Sequence, residues 1–140
     1  EFAYFTPGPT RNPHDTAHTP GGSSSGSAAA VADHMLPLAL GTQTAGSIIR
    51  PAAYCGVVGF KPSLGRVASG GVKSLSPSMD VVGGFGRSVR DVALLGAVLT
   101  GDVRLTGWRE PSAADAPRIG FFQTPAWPQA DDARHGRPGP

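Results

Sequence analysis

Apolar residues occur in short blocks along this chain, and each block is bounded by glycine, proline or small polar residues. Short apolar runs between turn formers are typical of buried strands, whereas longer periodic runs indicate helices. On this basis we predict strands over 36–44, 57–60 and 118–122, and helices over 28–35 and 88–101. Buried strands that alternate with helices predict an α/β fold.

The block over 88–101 carries the clearest helix signal. Ser88 followed three residues later by Asp91 predicts a capping box at the helix start, with aspartate in place of the usual glutamate. Gly101 predicts the helix end, because glycine readily adopts the left-handed conformation that ends many helices. The apolar positions share one face at the helical spacing i, i+3, i+4 and i+7: Val92, Leu95, Gly96 and Leu99.

The segments before this helix have weaker signals. The serines that precede the helix over 28–35 can cap it, and we expect Pro37 to end it. Residues 45–56 combine a glycine turn with a short helix or irregular turn that a proline interrupts. Residues 63–87 are rich in glycine and serine, and we interpret them as connections.

The composition shifts this picture towards a loop-rich body with weak ends. The 140 residues include 20 glycines and 14 prolines, yet 39% are apolar and only 16% are charged, which favours a folded chain. We expect an extended loop over 1–20 and a disordered tail over 125–140. We therefore predict one domain over 1–124 with its core in 21–101. Because the chain begins at Glu1 without methionine, we expect a piece of a longer protein.

Several classes of protein do not fit the sequence. No run of about 18 apolar residues is present, so we expect no membrane span. The opening segment lacks the basic and apolar regions of a signal peptide, which favours a cytoplasmic location. Cys55 is the only cysteine and can neither form an internal disulfide nor complete a zinc site. The net charge is only +2 and the ten arginines are scattered, which argues against direct binding of nucleic acid. We expect no metal and no cofactor.

Two turns rich in glycine and serine, Gly21–Ser27 and Thr42–Ser47, stand before predicted helix starts. Such turns expose backbone N–H groups, and a serine there can act as a nucleophile beside an oxyanion hole. The first turn has the glycine spacing of a P-loop, but Ser27 stands where the motif requires lysine. Its GSSSG run matches a nucleophile elbow, but no buried strand precedes it. A flexible linker would explain the composition, but not the helix that follows or the second turn.

Taken together, these turns and their surroundings resemble the amidase signature family. The resemblance covers residues 1–101 well and 118–130 loosely, and it implies a partial α/β amidase signature fold with a mixed β-sheet core flanked by helices. The resemblance is specific, because two such turns, the Arg-Pro step and the GFKPS strand end are unlikely to occur together by chance. The motifs that carry it are GGSSSGSAAAVA (21–32), LALGTQTAGSIIRPAAYCGVVGFKPS (38–63), GRV (65–67) and SPSMDVVGGFGRSVRDVALL (76–95).

The resemblance implies a mechanism that uses two serines and a lysine. Ser47 would be the nucleophile, and Ser23, which follows a cis peptide bond, would bridge to the lysine. A hydroxyl is donor and acceptor at once, so the bridging serine can pass a proton from the nucleophile to a neutral lysine. The backbone N–H groups of Thr44, Ala45 and Gly46 would hold the oxyanion and bind the substrate carbonyl.

The chain departs from the family pattern in three respects. The family usually carries an acid where Gln43 stands, and Arg50 is shifted by one residue, so it either pairs with a carboxylate or fixes the loop. The family's catalytic lysine lies upstream of the first turn, where this chain has none. Lys61 matches a position that is not the catalytic lysine, and Lys73 lies in a variable loop. We therefore expect the chain to carry two of the three triad members and to be inactive alone.

The other chemistry-bearing residues have simpler interpretations. We expect Cys55 to be a small buried residue and Asp80 to accept hydrogen bonds within its loop. Ser24 and Ser25 can either cap the helix or hydrogen-bond within the active site, and we favour capping. The spacing of the histidines does not support a Ser-His-Asp triad, so we expect them to be solvated: His14, His18 and His34. The tryptophans expected to pack or to lie in the tail are Trp108 and Trp127.

We interpret the chain as the core of an amidase that hydrolyses a small linear carboxylic amide to an acid and ammonia or an amine. Within the same family, the alternative is the A-type subunit of an amidotransferase, which releases ammonia from glutamine for transfer to a mischarged tRNA. The residues at Gln43 and Ile49 favour a stand-alone amidase. Two alternatives of other classes are a non-catalytic anion-binding module and a truncated, unfolded gene product. The sequence indicates neither the substrate nor the oligomeric state.

Overall fold

The computed structural model describes residues 10–109, 111–112, 117–122 and 125. The chain divides into two units, Glu1–Arg109 and Glu110–Pro140. The first unit contains, in chain order, α1 (Ser25–Ala32), β1 (Leu38–Gln43), α2 (Ile49–Tyr54), β2 (Val58–Phe60), β3 (Val81–Gly86), α3 (Val89–Thr100) and a 3₁₀ helix (Val103–Gly107).

The strands form one sheet in the order β1-β3-β2. β3 runs antiparallel to both neighbours and pairs with β1 along its full length, from Val81 opposite Gln43 to Gly86 opposite Leu38. The two outer strands are therefore parallel to each other, and α2 connects them. The mixed pairing that we expect for the family's sheet is not seen among the described strands. Because α2 follows β1 directly, the second glycine–serine turn lies at the end of an outer strand.

The prediction that 63–87 contains only connections is wrong, because β3 lies within it. All six residues of β3 are buried. The sequence VVGGFG conceals the strand, since glycine normally weakens strand interiors. Here the lack of a side chain is required: a Cβ on Gly84 would come within 2.5 Å of the Ala39 carbonyl oxygen and of Leu95 in α3. Three of the six residues of the central strand are thus glycines, because neighbouring atoms approach these positions too closely for side chains.

The outer strands are less buried than predicted. β1 and β2 are shorter than the predicted ranges 36–44 and 57–60, and most of their residues are half-buried or exposed. Leu40 in β1 keeps 55% of its surface exposed. The reason is their position, because each outer strand has one neighbouring strand within the described residues.

The predicted helix over 88–101 is confirmed in detail as α3. The Ser88 hydroxyl accepts a hydrogen bond from the Asp91 amide, and the Asp91 carboxylate accepts one from the Ser88 amide. Gly101 ends the helix in the left-handed conformation, with a φ of 69°. Both signals come from residues close in sequence, so both ends of the helix could be predicted without knowledge of the packing.

The other two helices differ from their predictions at the ends. α1 ends at Ala32 and not at Pro37, because the chain turns at Asp33 and His34, and His34 has a positive φ of 59°. In α2, Pro51 is the third residue and does not interrupt the helix. Proline is tolerated in the first turn, since its missing N–H has no partner there.

A small apolar core lies between α1, α2 and the central strand. Ile48, the residue directly after Ser47, is fully buried in it. The packing of Ile48 in this core therefore fixes the end of the second turn. The core residues are Ala28, Val31, Ile48, Ala52, Cys55 and Phe85.

The second unit does not contain the strand predicted over 118–122. Those residues have no regular structure, and Ile119 and Phe122 are 86% and 81% exposed. A strand needs a partner for its backbone groups, and none lies among the described residues of this unit. Trp127 and nearly all of the predicted tail over 125–140 lie outside the described residues, so the tail and the domain limit at 124 stay predictions. No described helix has the length and apolar character needed to cross a membrane.

Candidate active site

The two glycine–serine turns meet in space, although about twenty residues separate them along the chain. The Ser24 amide donates a hydrogen bond of 3.2 Å to the Ser47 carbonyl oxygen. The peptide bond between Gly22 and Ser23 is cis. Ser23 is exposed and Ser47 is half-buried, so neither is enclosed within the first unit. The structure thus places the predicted bridging serine and the predicted nucleophile in adjoining segments.

The prediction that Ser24 and Ser25 cap α1 with their hydroxyls is wrong. Ser24 occupies the N-cap position, but its hydroxyl donates to the Thr42 carbonyl and accepts from the Thr42 amide, both at 3.2 Å. The Ser25 hydroxyl donates to the Ser23 carbonyl at 3.5 Å. Gly41 makes room for this contact, because a Cβ there would lie 3.0 Å from the Ser24 hydroxyl. Ser24 therefore fastens the first turn to the edge of β1.

The buried side chain of Gln43 hydrogen-bonds to the backbone at both ends of the second turn, and it is only 6% exposed. Its Nε2 donates to the Ala45 carbonyl at 2.9 Å. Its Oε1 accepts from the Ile48 amide at 2.8 Å and from the Ile49 amide at 2.9 Å. One side-chain amide thus connects the start of the turn to the residues just after Ser47. Sequence reasoning left the role of Gln43 open, and its polarity at the buried end of a strand was the available signal.

Two backbone donors of the same turn have no protein acceptor among the described residues. The backbone N–H groups of Ala45 and Gly46 donate to no acceptor among the described residues. The Arg50 amide donates to the Gly46 carbonyl at 2.9 Å, and its guanidinium lies about 3.4 Å from where a Cβ of Gly46 would be. Of the two roles left open for Arg50, pairing with a carboxylate is not seen among the described residues. Unpaired amides beside a permanent cation suit a ligand with negative charge.

Asp80 connects this turn to the segment before β3. Its Oδ1 accepts a hydrogen bond of 2.5 Å from the Thr44 hydroxyl. Its Oδ2 accepts from the Ser74 hydroxyl and from the Leu75 and Ser76 amides, at 2.6–2.8 Å. These bonds, above all the one from Thr44, lower the pKa of the carboxyl to about 2. The prediction that Asp80 accepts loop hydrogen bonds is confirmed, but sequence reasoning missed the long-range donor.

Neither of the two lysines of the chain lies where the resemblance places the catalytic base. Lys61 follows β2, and its Nζ donates to the Pro62 carbonyl at 2.7 Å. Lys73 is exposed in the connection between β2 and β3.

The remaining candidates behave as structural residues. Cys55 is fully buried, its thiol donates to the Pro20 carbonyl at 3.4 Å, and burial raises the pKa of that thiol. This confirms the prediction of a small buried residue. The three histidines that we expected to be solvated are exposed in the structure: His14, His18 and His34. Trp108 is 38% exposed beside α3. Among the described residues, no group of three or more histidine, cysteine or acidic side chains could hold a metal ion.

Sequence reasoning also missed Asn12, which is 7% exposed. Its Nδ2 donates to the Tyr54 carbonyl at 2.8 Å, and the nearby His14 ring contacts the Cys55 carbonyl at 2.9 Å. These bonds satisfy carbonyls at the end of α2, where helical partners are lacking. The loop before the first turn thus holds the helix that follows the second turn.

The family model described as Amidase matches residues 2–124 of this chain. Among curated proteins, the glutamyl-tRNA(Gln) amidotransferase A-type subunit of Sulfurihydrogenibium sp. (strain YO3AOP1) is 55% identical over 93 residues, which are 66% of this chain and 19% of the relative. The protein of the same name from Chlamydia pneumoniae is 53% identical over 115 residues, 82% of this chain and 22% of the relative. The chain therefore spans about a fifth of the length of these relatives.

Solved structures give the same result for the fold. The native peptide amidase from Stenotrophomonas maltophilia aligns with a TM-score of 0.65 and 45% identity, over 74% of this chain and 22% of that one. The glutamyl-tRNA(Gln) amidotransferase A-type subunit from Thermotoga maritima aligns with a TM-score of 0.65 and 41% identity, over 83% and 24%. These likenesses confirm the predicted partial α/β amidase fold.

Proposed function

Since this chain belongs to the amidase family, we propose that it provides the serine half of an active site that hydrolyses a carboxylic amide. The nucleophile in this proposal is Ser47 and the bridging residue is Ser23. The oxyanion hole is the turn formed by Thr44, Ala45 and Gly46. The substrate is a small linear amide, and the products are a carboxylic acid and ammonia or an amine.

The observation that supports the proposal most strongly is the hydrogen bond from the Ser24 amide to the Ser47 carbonyl. It holds the residue after Ser23 against the residue that would attack the substrate. A serine hydroxyl is a weak nucleophile at neutral pH and needs a proton acceptor within hydrogen-bond reach. A second hydroxyl in the adjoining turn provides that first acceptor.

The first chemical step forms a bond between the Ser47 Oγ and the amide carbon of the substrate. The π electrons of the carbonyl move to its oxygen, which becomes an oxyanion. At the same time the proton of Ser47 passes to the Ser23 hydroxyl, which gives its own proton to the base. The open N–H groups of Ala45 and Gly46 are suited to hold the oxyanion, and removal of one such donor typically costs ~10²–10³ in rate.

The second step breaks the carbon–nitrogen bond. The oxyanion collapses, and the leaving amine takes the proton back through Ser23. The acyl group remains on Ser47 as an ester. Water then attacks the ester carbon while its proton passes through Ser23 to the base. When this second intermediate collapses, the bond to the Ser47 Oγ breaks, Ser47 takes the proton back through Ser23, and the carboxylic acid leaves. A lysine can act as the base only when it is neutral, which burial promotes. We propose that this lysine comes from outside these 140 residues.

A second candidate function is that of the A-type subunit of a tRNA-dependent amidotransferase, for which glutamine is the amide. The identity of 53–55% to curated proteins with that name favours it. The neutral Gln43 and the apolar Ile49, at positions where the family differs, favour a stand-alone amidase. Recovery of partner subunits with the cellular protein would decide for the amidotransferase. The unpaired, buried Cys55 suits a reducing compartment, so a cytoplasmic location is part of the proposal.

The test uses a chimera in which the matched segment of this chain replaces its counterpart in the Stenotrophomonas maltophilia peptide amidase. We expect the chimera to hydrolyse a peptide amide. We expect Ser47→Ala and Ser23→Ala each to lower kcat by about 10³-fold or more, since the hydroxyls act as one relay. Ser69→Ala, in an exposed connection, serves as the matched control and should leave kcat unchanged.

Two results would contradict the proposal. One is a folded chimera that keeps its activity after Ser47→Ala. The other is a folded chimera that has no activity but that inorganic phosphate stabilises, which would favour the anion-binding module instead.

A further inference from the structure

We infer that Asp80 is a positioning residue for the proposed oxyanion turn and that it acts through the side-chain hydroxyl of Thr44. The inference rests on the proposed function, because it concerns the turn that would hold the oxyanion. Asp80 does not touch the substrate in this interpretation. It fixes the first residue of the turn and thereby the direction of the backbone N–H group that follows.

The place of the contact follows from the strand register. β1 ends at Gln43 and β3 begins at Val81, and these two residues are paired in the antiparallel ladder. Thr44 and Asp80 therefore stand opposite each other, one position beyond the last pair. Side chains at opposite positions of an antiparallel pair lie close enough to interact. The hydrogen bond of 2.5 Å from the Thr44 hydroxyl to the Asp80 carboxylate thus continues the pairing where the backbone ladder stops.

The carboxylate of Asp80 is itself held in place by a second set of donors. Its Oδ1 accepts from Thr44, whereas its Oδ2 accepts from the Ser74 hydroxyl and from the Leu75 and Ser76 amides. Three donors on one oxygen restrain the rotation of the carboxylate, so the other oxygen stays directed at Thr44. Asp80 therefore connects the turn to a point outside it and does not simply follow the motion of the turn.

The first peptide plane of the turn depends on this connection. The Ala45 carbonyl accepts from Gln43, and the Gly46 carbonyl accepts from the Arg50 amide, so the later planes have their own hydrogen bonds. The plane between Thr44 and Ala45 contains the Ala45 N–H, which has no acceptor within the part of the chain that the structure describes. If Thr44 moves, this N–H changes direction, and hydrogen bonds weaken steeply with angle.

The experiment is a double-mutant cycle between Thr44→Val and Asp80→Ala in the chimera, with kcat and KM measured for a peptide amide. Valine keeps the shape of threonine and removes the hydroxyl. We expect each single variant to lower kcat by about 10-fold to 10²-fold with little change in KM, since a displacement of about 1 Å in a catalytic group has effects of this size. We expect the double variant to lose no more than Asp80→Ala alone, because both changes remove the same bond.

Conservative variants separate positioning from a merely structural role. Thr44→Ser keeps the hydroxyl, and Asp80→Asn keeps a side chain that can bond with it, because a hydroxyl both donates and accepts. We expect both variants to retain most of kcat. Ser74→Ala removes a bond to the other carboxylate oxygen and should also retain most of kcat. The matched control for Thr44→Val is Thr106→Val, which removes an exposed hydroxyl from the 3₁₀ helix and should leave kcat unchanged.

Two results in a folded chimera would overturn the inference. One is an unchanged kcat in Thr44→Val. The other is a double variant whose loss in kcat is the product of the two single losses, because Asp80 would then act through the segment 74–76 and not through Thr44. Ser47→Ala separates the two hypotheses: if that variant stays active, the proposed function fails, whatever Asp80 does.

A second measurement covers the case in which a variant of the chimera does not fold. In the 140-residue chain, ¹⁵N relaxation reports directly on the motion of the Ala45 N–H. With Thr44→Val we expect its order parameter to fall from about 0.85, which is typical of rigid backbone, towards about 0.6, while that of Val92 in α3 stays unchanged. Equal order parameters at Ala45 in both proteins would overturn the inference.

Discussion

At the scale of single residues, the turns of the site are held mainly by hydrogen bonds between side chains and backbone, together with the bond from the Thr44 hydroxyl to the Asp80 carboxylate. Ser24 binds the backbone of β1, Gln43 binds the backbone on both sides of Ser47, and Asp80 binds the backbone of the segment before β3. Each of these bonds fixes the path of a turn. A path fixed in this way keeps N–H groups in place without the reorganisation that a solvent shell would need.

Asp80 makes a pH-dependent prediction at this scale. Its pKa is lowered to about 2, chiefly by the Thr44 hydroxyl, whereas an unfolded aspartate titrates near 3.9. The carboxylate is thus favoured in the folded state, so its contribution is complete above about pH 4 and is lost as the pH falls towards 2. In Asp80→Asn, the free energy of unfolding should fall less steeply than in the original chain between pH 4 and pH 2.

The measurement is chemical unfolding of both proteins at several pH values. Asp102 also has a pKa of about 2, but it titrates in both proteins and cancels in the difference. Asp33→Asn removes an exposed carboxylate elsewhere in the chain and is the control. Parallel pH curves for Asp80→Asn and the original chain would show that Asp80 does not hold the turn.

The residues themselves show how far sequence reasoning reaches. The resemblance to a family placed Ser23 and Ser47 and implied the cis bond before Ser23, which the structure contains. It could not show that the Ser24 hydroxyl bonds to Thr42 and not to the helix start, because that bond spans 18 residues. The hydrogen bond of Asp80 to Thr44 spans 36 residues and was equally out of reach.

At the scale of elements, α3 was predictable and β3 was not, for a physical reason. The start and end of α3 are set by contacts within four residues of each other. β3 is stabilised by pairing with β1, whose residues lie about 40 positions earlier in the chain. Glycine has a low intrinsic tendency to form strands. In β3 it is required nonetheless, because the backbone of β1 and the side chains of α3 lie too close for a larger residue. Composition alone therefore predicts a connection where the structure has the central strand of the sheet.

The sheet makes a prediction that a single methyl group can test. Gly84→Ala places a Cβ within 2.5 Å of the Ala39 carbonyl oxygen and of Leu95. We expect a loss of about 1–3 kcal/mol in the free energy of unfolding, because overpacking displaces both neighbours. Gly70→Ala, where a Cβ meets nothing within 4 Å, should change the stability by less than about 0.5 kcal/mol. Equal urea midpoints for the two variants would mean that β3 is not packed as described.

At the scale of the whole molecule, the chain corresponds to only part of the proteins to which it is similar. It matches about a fifth of the length of its relatives, and its first unit leaves large apolar side chains exposed. Val98 on α3 is 76% exposed and Leu40 on β1 is 55% exposed.

The most direct test of the central claim is covalent labelling of Ser47 by a fluorophosphonate, with the labelled residue identified by mass spectrometry. The Ser47 oxygen attacks phosphorus and displaces fluoride, so the label reports the activated nucleophile itself. We predict rapid labelling of Ser47 in the chimera and loss of labelling in Ser23→Ala. We also predict little labelling of the 140-residue chain alone, because in the proposed mechanism the base comes from outside it. Labelling of the folded chimera at another residue only, or equal labelling with and without the Ser23 hydroxyl, would contradict the claim.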